Sequence, residues 1–442
     1  MKQPFSISGK HVAVFGAGRS GIAACKLALR EGAKVSIWDE RGEEAFVNVP
    51  EGVEIHPALS ESAASNFSAD LIVISPGIDT YSVMIQAFAA EAPIIGETEL
   101  ASKFYSGDII GITGTNGKTT TTELVSRILK HAGLGGTPCG NYGAPLSEVV
   151  LGSEIPAAVA LELSSFQLET IDQLRPVVAV WLNFAPDHMD RYPSVDDYKK
   201  AKLRIFKNQT SRETVVSRFG EDLGALASRV VSFTTDPQEV DSADFFSDGK
   251  TITFEGQVIL NLENETSLRG LHNAENAMAA IAACKAYGLD SIAFSAAIAG
   301  YTPPPHRCEL IRTLDGVEYL NDSKATNLHA LESALRSQTR PVILIAGGKE
   351  KGLDYTPLLP LLKKHSLESI TFGQIAKPLA DCFGAAHPST SFETIEEAVS
   401  YARSIAPRGS TVILSPGTSS FDQFSGYEQR GDTFRNIVNQ LS

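Results

Sequence analysis

The ten-residue run Gly111-Ile112-Thr113-Gly114-Thr115-Asn116-Gly117-Lys118-Thr119-Thr120 follows the apolar pair Ile109-Ile110 and precedes a segment, 123–129, with apolar residues at helical spacing. A buried strand, a glycine-rich turn and a helix start in that order restrict the chain to an α/β arrangement. They also make a cradle for phosphate, because N–H groups left unpaired at the helix start point at the anion and the helix dipole favours negative charge there. Lys118 brings a positive charge to the outer phosphates, and the Thr119 hydroxyl can reach Mg2+. The run departs from G-x-x-x-x-G-K-[ST] at Ile112, five positions before Gly117. It predicts a site for a nucleoside triphosphate without saying what the triphosphate is for.

At 442 residues the chain is too long for one ordinary core, and two to four domains are expected at roughly 100–200 residues each. With 43% apolar and 20% charged residues it reads as globular rather than disordered. No apolar run approaches the ~18–20 residues that span a bilayer, and the N-terminus carries no apolar signal core, so a cytoplasmic protein is expected. Cys25, Cys139, Cys284, Cys308 and Cys382 are far apart and form no C-x-x-C pair, which points to small buried hydrophobes rather than a disulfide framework or a zinc site. A net charge of -14 argues against nucleic acid and against an anionic membrane as partners. A small anionic ligand stays possible, since a few cations and helix ends reverse the field locally.

Short β-branched runs alternate with helical patterns along the chain, predicting α/β units with largely parallel sheets. The first unit has a strand at 11–15, the turn Gly16-Ala17-Gly18-Arg19-Ser20-Gly21, a helical stretch at 22–30, a strand at 34–38 ending at Asp39, and a strand at 71–74 ending in Ser75-Pro76-Gly77. The second begins near Glu97 and holds the phosphate loop, with buried-strand candidates at 157–161 and 177–182. The stiff turn Tyr301-Thr302-Pro303-Pro304-Pro305 leads into a third unit with strands at 342–346 and 411–414. The boundaries are placed at 1–97, 98–302 and 303–442.

The first turn, Gly16-x-Gly18-x-x-Gly21 with Asp39 further on, fits a dinucleotide fingerprint and invites an NAD-dependent oxidoreductase reading. The second nucleotide loop stands against it, because hydride transfer does not need one. A glycine turn serves any diphosphate, so a nucleotide-diphosphate ligand is favoured over a dinucleotide. Asp39 then bonds a base or ribose edge, or is only a strand-end turn residue. In the second unit Glu162 follows a strand at the edge where α/β sheets bind ligands, well placed to hold Mg2+ beside Thr119. His188 lies between Asp187 and Asp190 in another strand-end loop, where an ordinary exposed histidine is the alternative. Lys199, Lys200, Lys202, Arg204 and Lys207 on the next helix read, taken alone, as a solvated basic face.

Over essentially its whole length the chain resembles the Mur ligase family. The resemblance rests on Gly-Thr-Asn-Gly-Lys-Thr-Thr at 114–120, Gly-Asn-Tyr-Gly at 140–143, Glu-Leu-Ser-Ser-Phe-Gln-Leu-Glu at 162–169 and Asp-His-Met-Asp-Arg-Tyr at 187–192. Further matches are Ala-Lys-Leu-Arg-Ile at 201–205, Leu-His-Asn-Ala-Glu-Asn-Ala at 271–277, Pro-His-Arg at 305–307, Asn-Asp-Ser-Lys-Ala-Thr-Asn at 321–327 and Ser-Phe-Asp-Gln-Phe at 420–424. It implies three α/β domains: a Rossmann-like N-terminal domain, a central P-loop-type ATPase domain and a Rossmann-like C-terminal domain. It implies an ATP-dependent ligase of peptidoglycan precursor synthesis. ATP phosphorylates the carboxylate of UDP-N-acetylmuramoyl-L-alanine, and the amine of D-glutamate attacks the acyl phosphate. The last two motifs favour D-glutamate among the amino acids that sister ligases add.

The resemblance also implies roles. Gly114, Thr115, Asn116, Gly117, Lys118, Thr119, Thr120, Asn276, Arg307 and Asp322 would bind ATP. Thr119, Glu162, His188 and Lys202, the last as a carbamate, would hold Mg2+ at two sites, with Lys118, His188 and Lys202 catalytic. Gly18, Arg19, Ser20, Asp39, Glu40, Arg41, Ser75, Asn141 and Ser164 would bind the UDP-linked substrate. Lys324, Thr326, Lys351, Ser420, Phe421 and Tyr427 would form the D-glutamate pocket, with Lys349 an alternative to Lys351. A monomer is expected, closing by a hinge near 302–305.

Overall fold

The computed structural model describes residues 5–57, 67–189, 191–266, 268, 270–290 and 292–442, so Asp190 of the 187–192 motif lies outside the described residues. The strand His11–Phe15 is buried on both faces, which explains why its sequence is an unbroken apolar run rather than an alternating one. Val12 and Val14 pack with Ala24, Leu27 and Ala28 of the helix Arg19–Arg30, while Ala13 and Phe15 pack with Trp38, Phe67 and Phe88 on the other side. Five parallel strands form this sheet in the order Val53–His56, Lys34–Trp38, His11–Phe15, Leu71–Ile74, Ile94–Gly96. The chain order reverses beside His11–Phe15, the place where such sheets bind ligands.

The central sheet has nine strands among the described residues. At its heart Asp108–Thr113 lies between Ala158–Glu162 and Val178–Trp181, all parallel, with Gly135–Gly140 beyond Ala158–Glu162. Thr214–Arg218 and Arg229–Thr234 extend it in parallel, and the short strands Phe245–Ser247, Thr251–Phe254 and Gln257–Asn261 finish it as an antiparallel meander. The core under the helix Arg19–Arg30 runs without a break into Val159, Leu161 and Trp181 of this sheet. Each fully buried aliphatic side chain stabilises by about 1.5–3 kcal/mol, so a shared core binds the first two sheets into one body. Residues 1–266 with 274–300 accordingly form one compact unit.

Residues 267–273 with 301–442 form the other. Its six-stranded sheet runs Glu309–Leu314, Val317–Asn321, Thr411–Leu414, Val342–Gly347, Ser366–Phe372, Ser389–Ser391, parallel except for the first pair. Helices cover both faces, with Val399, Ala402 and Phe434 on one and Leu331, Leu362 and Leu379 on the other. The five cysteines are free, three of them buried. No helix among the described residues is long and apolar enough to cross a membrane.

Candidate active site

Gly117 takes φ +85 at the start of the helix Lys118–His131, a left-handed conformation that L side chains rarely adopt. A Cβ there would lie 2.1 Å from Asn276 Oδ1, so the long helix Leu271–Ala286 brings Asn276 against the phosphate loop. The loop is clamped to the segment after Val178–Trp181. Thr115 N–H donates to Asn183 O (3.0 Å), Asn116 N–H to Asn183 Oδ1 (2.9 Å), and Asn183 Nδ2 back to Asn116 O (3.1 Å). Thr115 Oγ1 donates to Ala185 O at 3.1 Å and sits 3.4 Å from the Tyr198 hydroxyl. Thr119 and Thr120 are buried on the first helical turn.

Two lysines meet on one carbonyl. Lys118 Nζ donates to Gly114 O (2.9 Å) and Thr115 O (2.8 Å), and Lys202 Nζ donates to the same Gly114 O (2.7 Å). Lys202 is 1% exposed, unlike Lys199, Lys200 and Lys207, which pair with Asp222, Asp197 and Asp172 at the surface. The basic-face reading thus holds for those three and fails for Lys202 and also for Arg204, which lies past the end of the helix Val195–Leu203 and donates to Leu168 O (2.8 Å) and Ile171 O. Burial, with Lys118 adding repulsion, pushes the Lys202 amine well below the usual lysine range against the pull of Asp187 and Glu162. Burial of this kind favours the uncharged amine, the form in which lysine is nucleophilic.

Glu162 ends its strand 2% exposed. Its Oε1 accepts from Asn141 Nδ2 at 2.7 Å, while Oε2 is buried with no hydrogen-bond partner. Such an oxygen is costly unless something charged meets it, and a hard cation fits. His188 has φ +59 and packs edge-on against Phe166 at 4.9 Å between ring centroids. Its backbone N–H donates to Asp187 Oδ1 at 2.9 Å. Mg2+ is commonly held by one or two carboxylates together with phosphate oxygens, so a single buried acid at a strand end is enough to start such a site. Ser164 is engaged as the N-cap of the helix Ser165–Glu169, in a reciprocal capping box with Gln167.

At the first glycine turn a Cβ on Gly21 would meet Gly16 O at 1.8 Å, whereas one on Gly18 would meet nothing within 4 Å. Gly21 is therefore needed for packing, and Gly18 leaves open space for a ligand to approach backbone. A Cβ on Gly16 would fall 2.8 Å from Ser75, which joins the turn. Asp39 accepts from Ala17 N (2.7 Å) and from Arg41 N, Nε and Nη2 (3.0, 2.9 and 2.8 Å). These bonds, Arg41's first, hold its carboxyl well below the usual range, and they make it a brace of the turn. Arg19 reaches Glu148 (2.7 Å) and Gly143 O (3.0 Å); Ser20 is half-buried and Glu40 exposed.

In the other unit Asp322 is 8% exposed and accepts from Cys308 N (3.1 Å) and the Ser415 hydroxyl (2.9 Å). Burial pushes its carboxyl up to about 7, against the opposing pull of those bonds and of Arg307. Lys324 Nζ lies 3.7 Å from the centre of the Tyr427 ring, and Lys351 Nζ donates to Thr326 O at 3.5 Å. Lys349 is exposed, with its backbone held by Ser419 O and Thr418 Oγ1. Ser420 is buried and Phe421 is 65% exposed.

The residue-level reading of the sequence passed over several residues that hold these loops. Arg430 is fully buried and donates to Ser323 Oγ, Ser323 O and Thr418 O at 2.9–3.3 Å, joining the 321–326 and 417–420 loops. Glu169 and Arg191 form a buried pair at 2.8 Å beside Phe166. Tyr198 and Asn183 brace the phosphate loop. Glu169 and Arg191 at least lie inside quoted motifs; nothing local marks Arg430.

Comparison with known proteins gives three matches along the chain. Residues 10–96 match the Mur ligase MurD-like N-terminal domain, 112–284 the Mur ligase middle domain, and 306–417 the Mur ligase glutamate ligase domain. A Geobacter metallireducens protein named UDP-N-acetylmuramoylalanine--D-glutamate ligase is 40% identical over 446 residues, covering 98% of each chain. The Myxococcus xanthus protein of that name is 40% identical over 453 residues, covering 99% of each. Among solved structures, a MurF ligase from Thermotoga maritima in complex with ADP matches with a TM-score of 0.60 at 16% identity, over 99% of this chain and 96% of that one. A pseudomurein peptide ligase type C from Methanothermus fervidus matches at 0.61 and 18% identity, over 98% and 100%. These two likenesses speak for the fold alone.

Proposed function

We propose, from the premise that this chain belongs to the Mur ligase family, that it is an ATP-dependent ligase adding D-glutamate to UDP-N-acetylmuramoyl-L-alanine in peptidoglycan precursor synthesis. The observation that carries the chemistry is the meeting of Lys118 and Lys202 on Gly114 O near the partnerless oxygen of Glu162. With Lys118 as a cation, and Glu162 and Lys202 placed to hold a metal cation, the arrangement suits a reaction that must bring a carboxylate to a phosphate, two anions that repel each other.

In this reading the substrate carboxylate attacks the γ-phosphorus, the bond to ADP breaks, and an acyl phosphate forms. The D-glutamate amine then adds to the acyl carbon, loses a proton, and inorganic phosphate leaves as the amide is made. Gly114, Thr115, Asn116, Gly117 and Thr120 present backbone to the phosphates. Lys118 exchanges its loop carbonyls for phosphate oxygens. Asn276, Arg307 and Asp322 serve the remainder of ATP.

Thr119, Glu162, His188 and a carbamate on Lys202 would hold Mg2+ at two sites, where it would neutralise charge on the transferred phosphoryl group. The carbamate would arise when the unprotonated Lys202 Nζ adds to CO2 and sheds a proton, turning the lysine into an oxygen ligand. It would add an anionic oxygen ligand to those of Glu162.

Gly18, Arg19, Ser20, Asp39, Glu40, Arg41 and Ser75 face the UDP end, Asp39 also bracing the turn; Asn141 and Ser164 face the muramoyl-alanine end. Lys324, Thr326, Lys351, Ser420, Phe421 and Tyr427 take D-glutamate, lysine and hydroxyl groups suiting its two carboxylates. Lys351 is preferred to Lys349 because it reaches Thr326. Domains at 1–97, 98–302 and 303–442, a monomer and a cytoplasmic location complete the reading. The test is phosphate release from ATP with UDP-N-acetylmuramoyl-L-alanine and a panel of amino acids. Release with D-glutamate alone is expected; release with L-lysine or diaminopimelate instead would overturn the assignment.

A further inference from the structure

Glu169 and Arg191 lie inside the 162–169 and 187–192 motifs, yet no step of the reaction uses them. Their side chains are 6% and 10% exposed, so the pair is buried and its geometry is held by surrounding bonds. Glu169 Oε2 accepts from Arg191 Nη2 (2.8 Å) and from Thr80 Oγ1 (2.5 Å), and Oε1 accepts from the Tyr192 hydroxyl. Arg191 Nη1 donates to Pro76 O (3.1 Å). On this side the pair grips the 75–80 turn of the first sheet, whose Ser75 donates to Gly16 O (3.3 Å) in the first glycine turn.

On the other side the pair faces the phosphoryl-transfer site. The Arg191 guanidinium lies 4.0 Å from the centre of the Phe166 ring, and Phe166 packs edge-on against His188 at 4.9 Å. Tyr192 packs on Tyr198 at 5.3 Å, and the Tyr198 hydroxyl meets Thr115 of the phosphate loop. A small cleft, with room for about one water, lies between the two sides, lined by Ser75, Thr80, Phe166, Gln167 and Arg191. One buried ion pair therefore touches the supports of both glycine loops.

We propose that Glu169 and Arg191 are positioning residues that couple the two nucleotide sites, so that filling the first glycine turn tightens ATP binding at the second. The inference rests on the functional reading above. A ligand on the first turn fixes Ser75 and Pro76, which orders Arg191, the Phe166 wall behind His188, and the Tyr192–Tyr198 support of Thr115. The ordering is then already complete when ATP binds. Thermodynamic reciprocity requires ATP to tighten the UDP-linked substrate by the same factor.

The test is the Kd of a non-hydrolysable ATP analogue, with and without UDP-N-acetylmuramoyl-L-alanine, in the full chain. The wild type should bind the analogue about five-fold or more tightly when the UDP-linked substrate is present, within the usual range of site coupling. Arg191→Lys, Glu169→Gln and the near-isosteric Thr80→Val should keep the substrate-free Kd within about two-fold and lose the tightening, with a rise in KM for the UDP-linked substrate that exceeds the change in kcat. Thr80→Val removes one hydroxyl and keeps the fold, so it tests the coupling if the buried variants fail to fold. A wild type with no tightening, variants that retain it, or variants that lose analogue binding outright would overturn the proposal. A wild type that binds both nucleotides cooperatively but releases no phosphate with D-glutamate would instead sink the functional reading and leave the coupling standing.

Discussion

Lys202 shows what a single side chain contributes beyond its type. Its neighbours on the same helix solvate their charges, while it is buried against Gly114 O beside a second lysine. Lys202→Ala should lower kcat for phosphate release on the order of 100-fold or more, the scale of losing one preorganised electrostatic group. Added short carboxylic acids should restore part of it by standing in for the proposed carbamate; full activity of Lys202→Arg without them would contradict the role. Glu162→Gln should cost a similar factor and weaken dependence on Mg2+ concentration, read from a magnesium titration of the rate. Neither residue's burial is legible from its local sequence, although Glu162's place at a strand end is.

At the scale of the element, strand, glycine turn and helix start act together. Gly117→Ala would force a methyl group to within 2.1 Å of Asn276 Oδ1 and strain a φ of +85, at about 1–2 kcal/mol for the backbone alone. ATP turnover should fall steeply, with KM for ATP raised about ten-fold or more, since roughly 1.4 kcal/mol is a factor of ten. The short helix Ser165–Glu169 depends on its capping box, because five residues cannot sustain a helix by propensity. Ser164→Ala should cost about 1 kcal/mol in urea unfolding. The phosphate loop was readable along the chain, as its residues are at most a few apart; Ser164 was expected only to face substrate, and its cap with Gln167 emerged from the structure. The grip of Asn276 on Gly117, across more than 150 residues, was not readable.

Across the whole molecule, two buried acids shape stability in opposite senses. Asp39, held below its usual range by Arg41, contributes stability that is present above about pH 4 and is lost as pH falls further. Asp322, raised from 3.8 to about 7 by burial, contributes stability that is fully present below pH 3.8 and is lost as pH rises through about 7. Asp322→Asn should therefore flatten the fall in stability of residues 301–442 between pH 4 and 8, read as the pH dependence of Tm. Arg430→Met in the same unit should cost about 3 kcal/mol or more, because it leaves the buried Thr418 and Ser323 carbonyls without donors. An unchanged urea midpoint would show that those carbonyls find other partners.

By itself the sequence determined the α/β class, both glycine turns, the strand-end placement of Glu162 and His188, and the order of the ligand-binding segments. These depend on backbone conformation and on residues three or four apart, so local chemistry suffices to specify them. The family resemblance added D-glutamate and the UDP-linked substrate, which no spacing predicts. Tertiary structure decided which of the three lysines on the helix Val195–Leu203 is buried, that Asp39 pairs with Arg41, that one hydrophobic core joins the first two sheets, and that Glu169 and Arg191 meet. Burial and pairing of that kind arise from contacts between distant segments, which a local pattern of residue types does not encode.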